Sequence, residues 1–168
     1  MVSKSCVQDR ICLQLRIQYC FVFPGIFTLV AVKILRTHDF QRLAETARRE
    51  QRLIMLLVSQ VDCPYCHLIK EEVIRPMILG GDFREQILIR EILMDEGERL
   101  VDFQGQETEA ADFAHGYGVF VTPTLLFLGA DGRELAKKMT GVNTIEMYYY
   151  YVDQSIREAL KKLPGKHS

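Results

Sequence analysis

The chain has no tryptophan, only 5 cysteines and 5 prolines in 168 residues, and almost no net charge. Each shortage excludes something. Five cysteines are too few for a disulfide scaffold at this length. A formal net charge of −1 gives no electrostatic support to a nucleic-acid role. Prolines and 11 glycines are too sparse for a fibrous or low-complexity chain. There is no Gly-rich phosphate loop and no G-x-S-x-G nucleophile motif. What remains is ordinary for a globular protein: 48% hydrophobic and 26% charged residues, in a length that suits one domain with some tens of residues to spare.

Those spare residues stand at the start. Residues 1–36 carry Lys4, Arg10, Arg16, Lys33 and Arg36 against Asp9, a local charge of +4 that leaves the rest at −5. Three cysteines (Cys6, Cys12, Cys20) fall in this leader, where they read as incidental, and only Cys63 and Cys66 remain in the body, 37–168. Within the leader, Ile17–Val32 is almost wholly apolar and follows Arg10 and Arg16. A basic start followed by an apolar run resembles an export signal. The run is shorter than the roughly 20 residues a membrane span needs, Pro24-Gly25 interrupts it, and no small-x-small cleavage site follows. The expectation is export or a membrane tether through residues 17–32. The alternatives are an apolar segment packed on the domain or a translated stretch upstream of the true start, either of which would leave the protein cytoplasmic.

In the body, Asp39 suits a helix N-cap, and Phe40, Leu43, Ala44 and Ala47 follow at helical spacing. The unbroken apolar run Leu53–Val58 fits a strand covered on both faces. Cys63-Pro64-Tyr65-Cys66 opens the next helix, with Pro64 at the first helical position and Cys63 at the N-cap; Pro76 should kink or end that helix. Ile87–Met94 reads as a second inner strand, and Glu96–Glu107 as a polar loop. Thr108 is expected to cap a short helix through His115, closed by Gly116. Val119–Val121 and Thr124–Leu128 read as a strand region broken by Pro123, and Asp131-Gly132 as a hairpin turn returning through Arg133–Met139. A last helix should start at Asn143, with Glu146 as its capping-box partner. Of its four consecutive tyrosines, Tyr148–Tyr151, two should pack and two face solvent. The alternation of helices and strands, ending in a hairpin, implies an α/β fold with a mixed sheet.

The chemistry concentrates at Cys63 and Cys66. A cysteine at a helix N-terminus meets the positive end of the dipole and unpaired N–H groups, both of which favour the thiolate, the reactive form. Cys66, three residues on, shares that helix face and can attack a mixed disulfide formed at Cys63. Pro64 and Tyr65 shape the turn. Asp62, next to Cys63, opposes the dipole by like-charge repulsion on the thiolate.

A buried strand, then Cys63-Pro64-Tyr65-Cys66 on a helix, then Thr122-Pro123-Thr124 before a strand and an Asp131-Gly132 hairpin together resemble the thioredoxin superfamily, over about residues 38–163. The resemblance implies a three-layer α/β/α fold around a central mixed sheet, with the leader as an extension. It implies that Pro123 is cis and that Thr122 and Pro123 hold the substrate chain beside the catalytic pair. It also implies protein disulfides as substrates, an upstream thiol reductant, and no cofactor or metal beyond the redox-active disulfide. Among subtypes, the helix before the first strand, the segment Val101–Gly105 and the late hairpin look more like exported SoxW-type thioredoxins, or other thiol reductases related to the disulfide-isomerase family, than like glutaredoxins. Two departures stand out. Asp62 occupies the place of the family's Trp, and the first inner strand holds no acid, which leaves Asp62, Glu71, Glu72 or water to take the resolving cysteine's proton.

Other readings stay in view. CPYC is also the glutaredoxin motif, which would make the protein a glutathione-dependent reductase. Cys63-Pro64-Tyr65-Cys66-His67 is literally C-x-x-C-H, the haem c attachment pattern, with His67 as axial ligand. That pattern follows a β-like run here, whereas small haem c proteins are mostly helical. Zinc would need two more ligands, and His38 and His115 lack the spacing.

Overall fold

A computed structural model describes residues 33–164. The segment 1–32, with the apolar run and the three leader cysteines, lies outside the described residues. All seven residues of β2 (Leu53–Ser59) are buried, as an apolar run covered on both faces requires. It pairs in parallel with β3 (Ile87–Leu93), Leu57 opposite Glu91, and antiparallel with β6 (Thr124–Leu128), Val58 opposite Thr124. On the outer side of β3 lies the two-residue β1 (Leu35–Arg36); beyond β6 lies the hairpin partner β7 (Glu134–Thr140). The sheet order is therefore β1-β3-β2-β6-β7, mixed as expected.

One face of the sheet is covered by α1 (Phe40–Glu50) and α4 (Ala110–Gly116), whose Phe40, Ala47, Phe113 and Ala114 pack on Leu56, Val58 and Leu126. The other face is covered by the helix that begins at Pro64 and by α5 (Ile145–Lys161), whose Ile69, Val73, Val152 and Ile156 pack on Met55, Leu57 and Phe127. The result is the three-layer α/β/α arrangement. Asp39 caps α1 as expected, its side chain accepting from Arg42 N–H at 2.8 Å.

Several local expectations need correction. Pro76 does not end the second helix. After α2 (Pro64–Ile69), the chain takes one π turn, Lys70–Ile74, and resumes as α3 (Arg75–Gly80). Arg75 N–H reaches five residues back to Lys70 O, and this wider turn accommodates a proline that cannot donate to the ladder. Thr108 caps nothing: the polar stretch pairs with itself as β4 (Arg99–Val101) and β5 (Glu107–Glu109), and α4 follows directly. Val119–Val121 is not a strand; Phe120 and Val121 are exposed, and β6 starts only after Pro123. The last helix is preceded by Thr144 rather than Asn143, and no side chain caps it. Of the four tyrosines only Tyr148 is buried.

Candidate active site

β2 and β3 run parallel and end on the same side, and the chain leaving β2 through Gln60–Asp62 turns at once into α2. Cys63 holds an extended backbone (φ −117°, ψ 98°) and is the N-cap, with Pro64 in the first turn. Its Sγ accepts the Cys66 N–H at 3.1 Å, so the sulfur itself satisfies one of the unpaired donors of the helix start. Its carbonyl accepts from His67 N–H at 3.1 Å. The two sulfurs are joined by a disulfide (S–S 2.08 Å). Cys63 keeps 7% exposure, whereas Cys66 is fully buried. A partner arriving from solvent therefore meets Cys63 first.

Facing them is the turn before β6. The Thr122–Pro123 peptide bond is cis, as the resemblance implied. Thr122 Oγ1 lies 3.6 Å from Cys63 Sγ and 2.7 Å from Gln60 Oε1. Pro123 is buried; its carbonyl accepts from Gly141 N–H at 2.8 Å, and Thr124 Oγ1 ties back to Val121 O at 2.7 Å. The structure thus brings Cys63, Cys66, Thr122 and Pro123 together from two segments some sixty residues apart.

The surroundings are apolar. Val61, Tyr65, Leu68, Phe120 and Val121 are all exposed, Phe120 the most at 72%. Phe120 stacks on His115 at 5.1 Å between ring centroids. In the two loops 60–65 and 119–123, Asp62 is the only charged side chain. The neighbouring Asp95 carboxylate is engaged by Val61 N–H at 3.0 and 3.2 Å.

Asp62, Glu71 and Glu72, named above as proton acceptors, are all exposed, and Glu71 pairs with Arg75 at 2.7 Å. Among the described residues the one buried carboxylate is Glu91 on β3, directly across from Leu57. Lys70 Nζ, from the π turn, lies 2.5 Å from its Oε1, and Lys70 N–H donates to Cys66 O. This pair ties the helix that carries the cysteines to the sheet. Its signal in the sequence was a charged residue inside the apolar run Ile87–Leu93. Gln60 gave no signal, and Phe120 was hidden by its strand-like neighbours. His67 is exposed, and among the described residues no group of three or more His, Cys, Asp or Glu gathers as a metal site.

No curated protein matches the sequence. Solved structures do match in fold. The oxidoreductase DsbH superposes with a TM-score of 0.55 at 16% identity, covering 83% of this chain and 94% of its own. A poplar thioredoxin h variant gives 0.52 at 17% identity, covering 82% and 94%. A thioredoxin from Thermus thermophilus gives 0.52 at 20% identity, covering 73% and 87%. The family model of the thioredoxin-like domain matches residues 40–156, from the start of α1 almost to the end of α5 and across both halves of the site; the chain belongs to the thioredoxin-like family.

Proposed function

We propose that this protein is an exported thiol–disulfide oxidoreductase that reduces disulfides in protein substrates. The observation that carries this reading is the Cys63–Cys66 disulfide at a helix N-terminus, with Cys63 retaining slight exposure, Cys66 fully buried, and Thr122 against the first. In the reduced protein the Cys63 thiolate attacks a substrate disulfide. One substrate sulfur leaves as a thiolate and takes up a proton, and the other stays bound to Cys63. Cys66 then loses its proton and attacks Cys63 Sγ; the internal disulfide closes and the second substrate thiol departs. Two electrons pass to the substrate, and an upstream thiol reductant restores the pair. Pro64 and Tyr65 set the turn, and Thr122-Pro123 receives the substrate chain. The disulfide is the only redox group this exchange uses.

The rim favours protein over glutathione. Glutathione carries two carboxylates, and the loops around Cys63 offer no cation to meet them, only Asp62. They offer instead Val61, Tyr65, Phe120 and Val121, which suit an apolar polypeptide segment. A haem c role fits less well, since both cysteines would have to reach a macrocycle and Cys66 is fully buried. The leader, basic and then apolar, supports export with or without a membrane tether.

The test is reduction of insulin with a dithiol as donor. Wild type should turn over, Cys63→Ser should not, and Cys66→Ser should accumulate mixed disulfides. Turnover by Cys63→Ser would refute the roles. Faster reduction of glutathione mixed disulfides than of insulin would favour the glutaredoxin-like reading. The reduction potential gives the direction: about −270 mV marks a reductase and about −120 mV an oxidant.

A further inference from the structure

We propose that Gln60 and Thr122 form a hydrogen-bond switch that follows the redox state of Cys63 and sets how readily its thiol ionises. The proposal rests on Cys63 being the attacking sulfur. Thr122 Oγ1 has one proton and two acceptors within reach, Gln60 Oε1 at 2.7 Å and Cys63 Sγ at 3.6 Å. In the disulfide form the sulfur is a neutral, weak acceptor, so the proton goes to Gln60. The helix N-terminus adds a second donor, Cys66 N–H, 3.1 Å from the same sulfur.

Reduction changes the competition. An incoming dithiol gives two electrons to the Cys63–Cys66 bond and becomes a disulfide. Cys63 is left as a thiolate, Cys66 takes one of the dithiol's two protons, and the other is released to solvent. Sγ is now a charged acceptor, and hydrogen bonds to charged acceptors are roughly twice as strong as neutral ones. The Thr122 hydroxyl turns about its Cβ–Oγ1 bond toward the sulfur, and no heavy atom of Thr122 needs to move. Gln60 adapts by rotating its amide, so that its NH2 donates to Thr122 Oγ1 where its carbonyl had accepted. A glutamine can play both parts; a leucine can play neither, and a glutamate only the first. Thr122 thus touches the reacting sulfur, and Gln60 is a positioning residue that acts through it.

The titratable groups around Cys63 do not supply this effect. Asp62 adjoins it in the chain and is exposed, Asp95 is held by Val61 N–H, His67 is exposed on α2, and His115 is stacked on Phe120. Among the described residues the sulfur's hydrogen-bond donors are Cys66 N–H and the Thr122 hydroxyl.

The test titrates the lone Cys63 thiol in the full chain carrying Cys66→Ser, by thiolate absorbance and by the pH dependence of iodoacetamide alkylation. Thr122→Val should raise the thiol pKa by about one unit and slow alkylation about tenfold at pH values below it. Thr122→Ser, which keeps the hydroxyl, should restore both. Gln60→Met, which can neither accept nor donate and adds no charge, should change the size of the Thr122→Val shift, so that the double variant Gln60→Met/Thr122→Val is not the sum of the two single variants. An unchanged pKa in Thr122→Val, or shifts that simply add in the double variant, would overturn the switch. Its failure is separable from failure of the oxidoreductase reading, because insulin reduction by wild type tests that reading and needs no variant.

Discussion

The β2–β6 pair has two ends, and they are built by opposite rules. At one end, where β2 gives way to Cys63 and the cis Pro123 precedes β6, exposed apolar side chains surround a reactive sulfur and only one charge stands in the two loops. At the other end the Asp131-Gly132 turn is pinned in several ways. Arg48 donates to Ala130 O at 3.3 Å, Arg133 engages Asp131, and Tyr117 OH donates to Gly132 O at 2.8 Å. The hairpin end spends its polar groups on holding shape. The cysteine end leaves apolar surface uncovered, and beneath it the Glu91–Lys70 pair joins the helix that carries the cysteines to the sheet.

The largest expected effect strikes that support. Glu91→Gln leaves Lys70 without its buried counter-charge, and breaking one side of such a pair costs about 3 kcal/mol. Urea unfolding of the reduced protein should show this loss, and the double replacement Glu91→Leu/Lys70→Met should recover most of it. A Glu91→Gln protein as stable as wild type would mean that the reactive end does not depend on the pair. Next in size is a change at the hairpin. Gly132 has φ +80°, and a Cβ there would meet Phe103 at 2.8 Å. Gly132→Ala should therefore cost about 2 kcal/mol from backbone strain and the displaced ring, while the folded protein keeps its Cys63 alkylation rate. A changed rate would show that the two ends are coupled.

The same division explains what the sequence made legible. Inner strands, the CPYC helix start and the Asp131-Gly132 turn were readable because each is decided locally: apolar runs, a proline at N1, a turn dipeptide. The misreadings fall where tertiary contacts decide. Pro76 looked like a helix end because a proline usually ends one, and nothing in the sequence announces the π turn that here lets the helix run past it. Thr108 looked like a cap because nothing local announces that Arg99–Val101 will pair with Glu107–Glu109. Phe120-Val121 looked like strand because apolar β-formers usually are buried, and here they are left outside. At the site, the cysteines and Thr122-Pro123 were visible as motifs, whereas Gln60 and Glu91 acquire meaning only across the sheet and the turn.

The exposed pair supplies the third way to sharpen the contrast. Phe120→Ser should lower kcat/KM for insulin about tenfold, the scale of one well-placed aromatic contact. It should leave reduction of a small aromatic disulfide unchanged, and stability within about 0.5 kcal/mol, because the ring is already in solvent. Equal losses on both substrates would mean that Phe120 shapes the sulfur's surroundings rather than the docking of a chain.

The smallest effect comes from two phenols, one half-buried and one buried. Tyr117 at the hairpin end and Tyr148 on α5 both have pKa values pushed up to about 12, chiefly by burial. Tyr117 donates to Gly132 O, whereas the Tyr148 hydroxyl is buried and has no hydrogen-bond partner among the described residues. A buried hydroxyl left unpaired is a cost, so Tyr148→Phe should be neutral or stabilising by up to about 1 kcal/mol, while Tyr117→Phe should lose about that much. The alkaline limb follows with a definite sign. The folded state holds each phenolic proton more tightly than the unfolded chain, whose tyrosines ionise near pH 10. Their contribution is complete below about pH 10 and drains away as pH rises toward 12. Tyr148→Phe should make the fall in stability over that range shallower and leave the Tyr117 part intact. If instead Tyr148→Phe destabilised the protein at neutral pH as much as Tyr117→Phe, its hydroxyl would be making a bond as useful as the one that pins the hairpin.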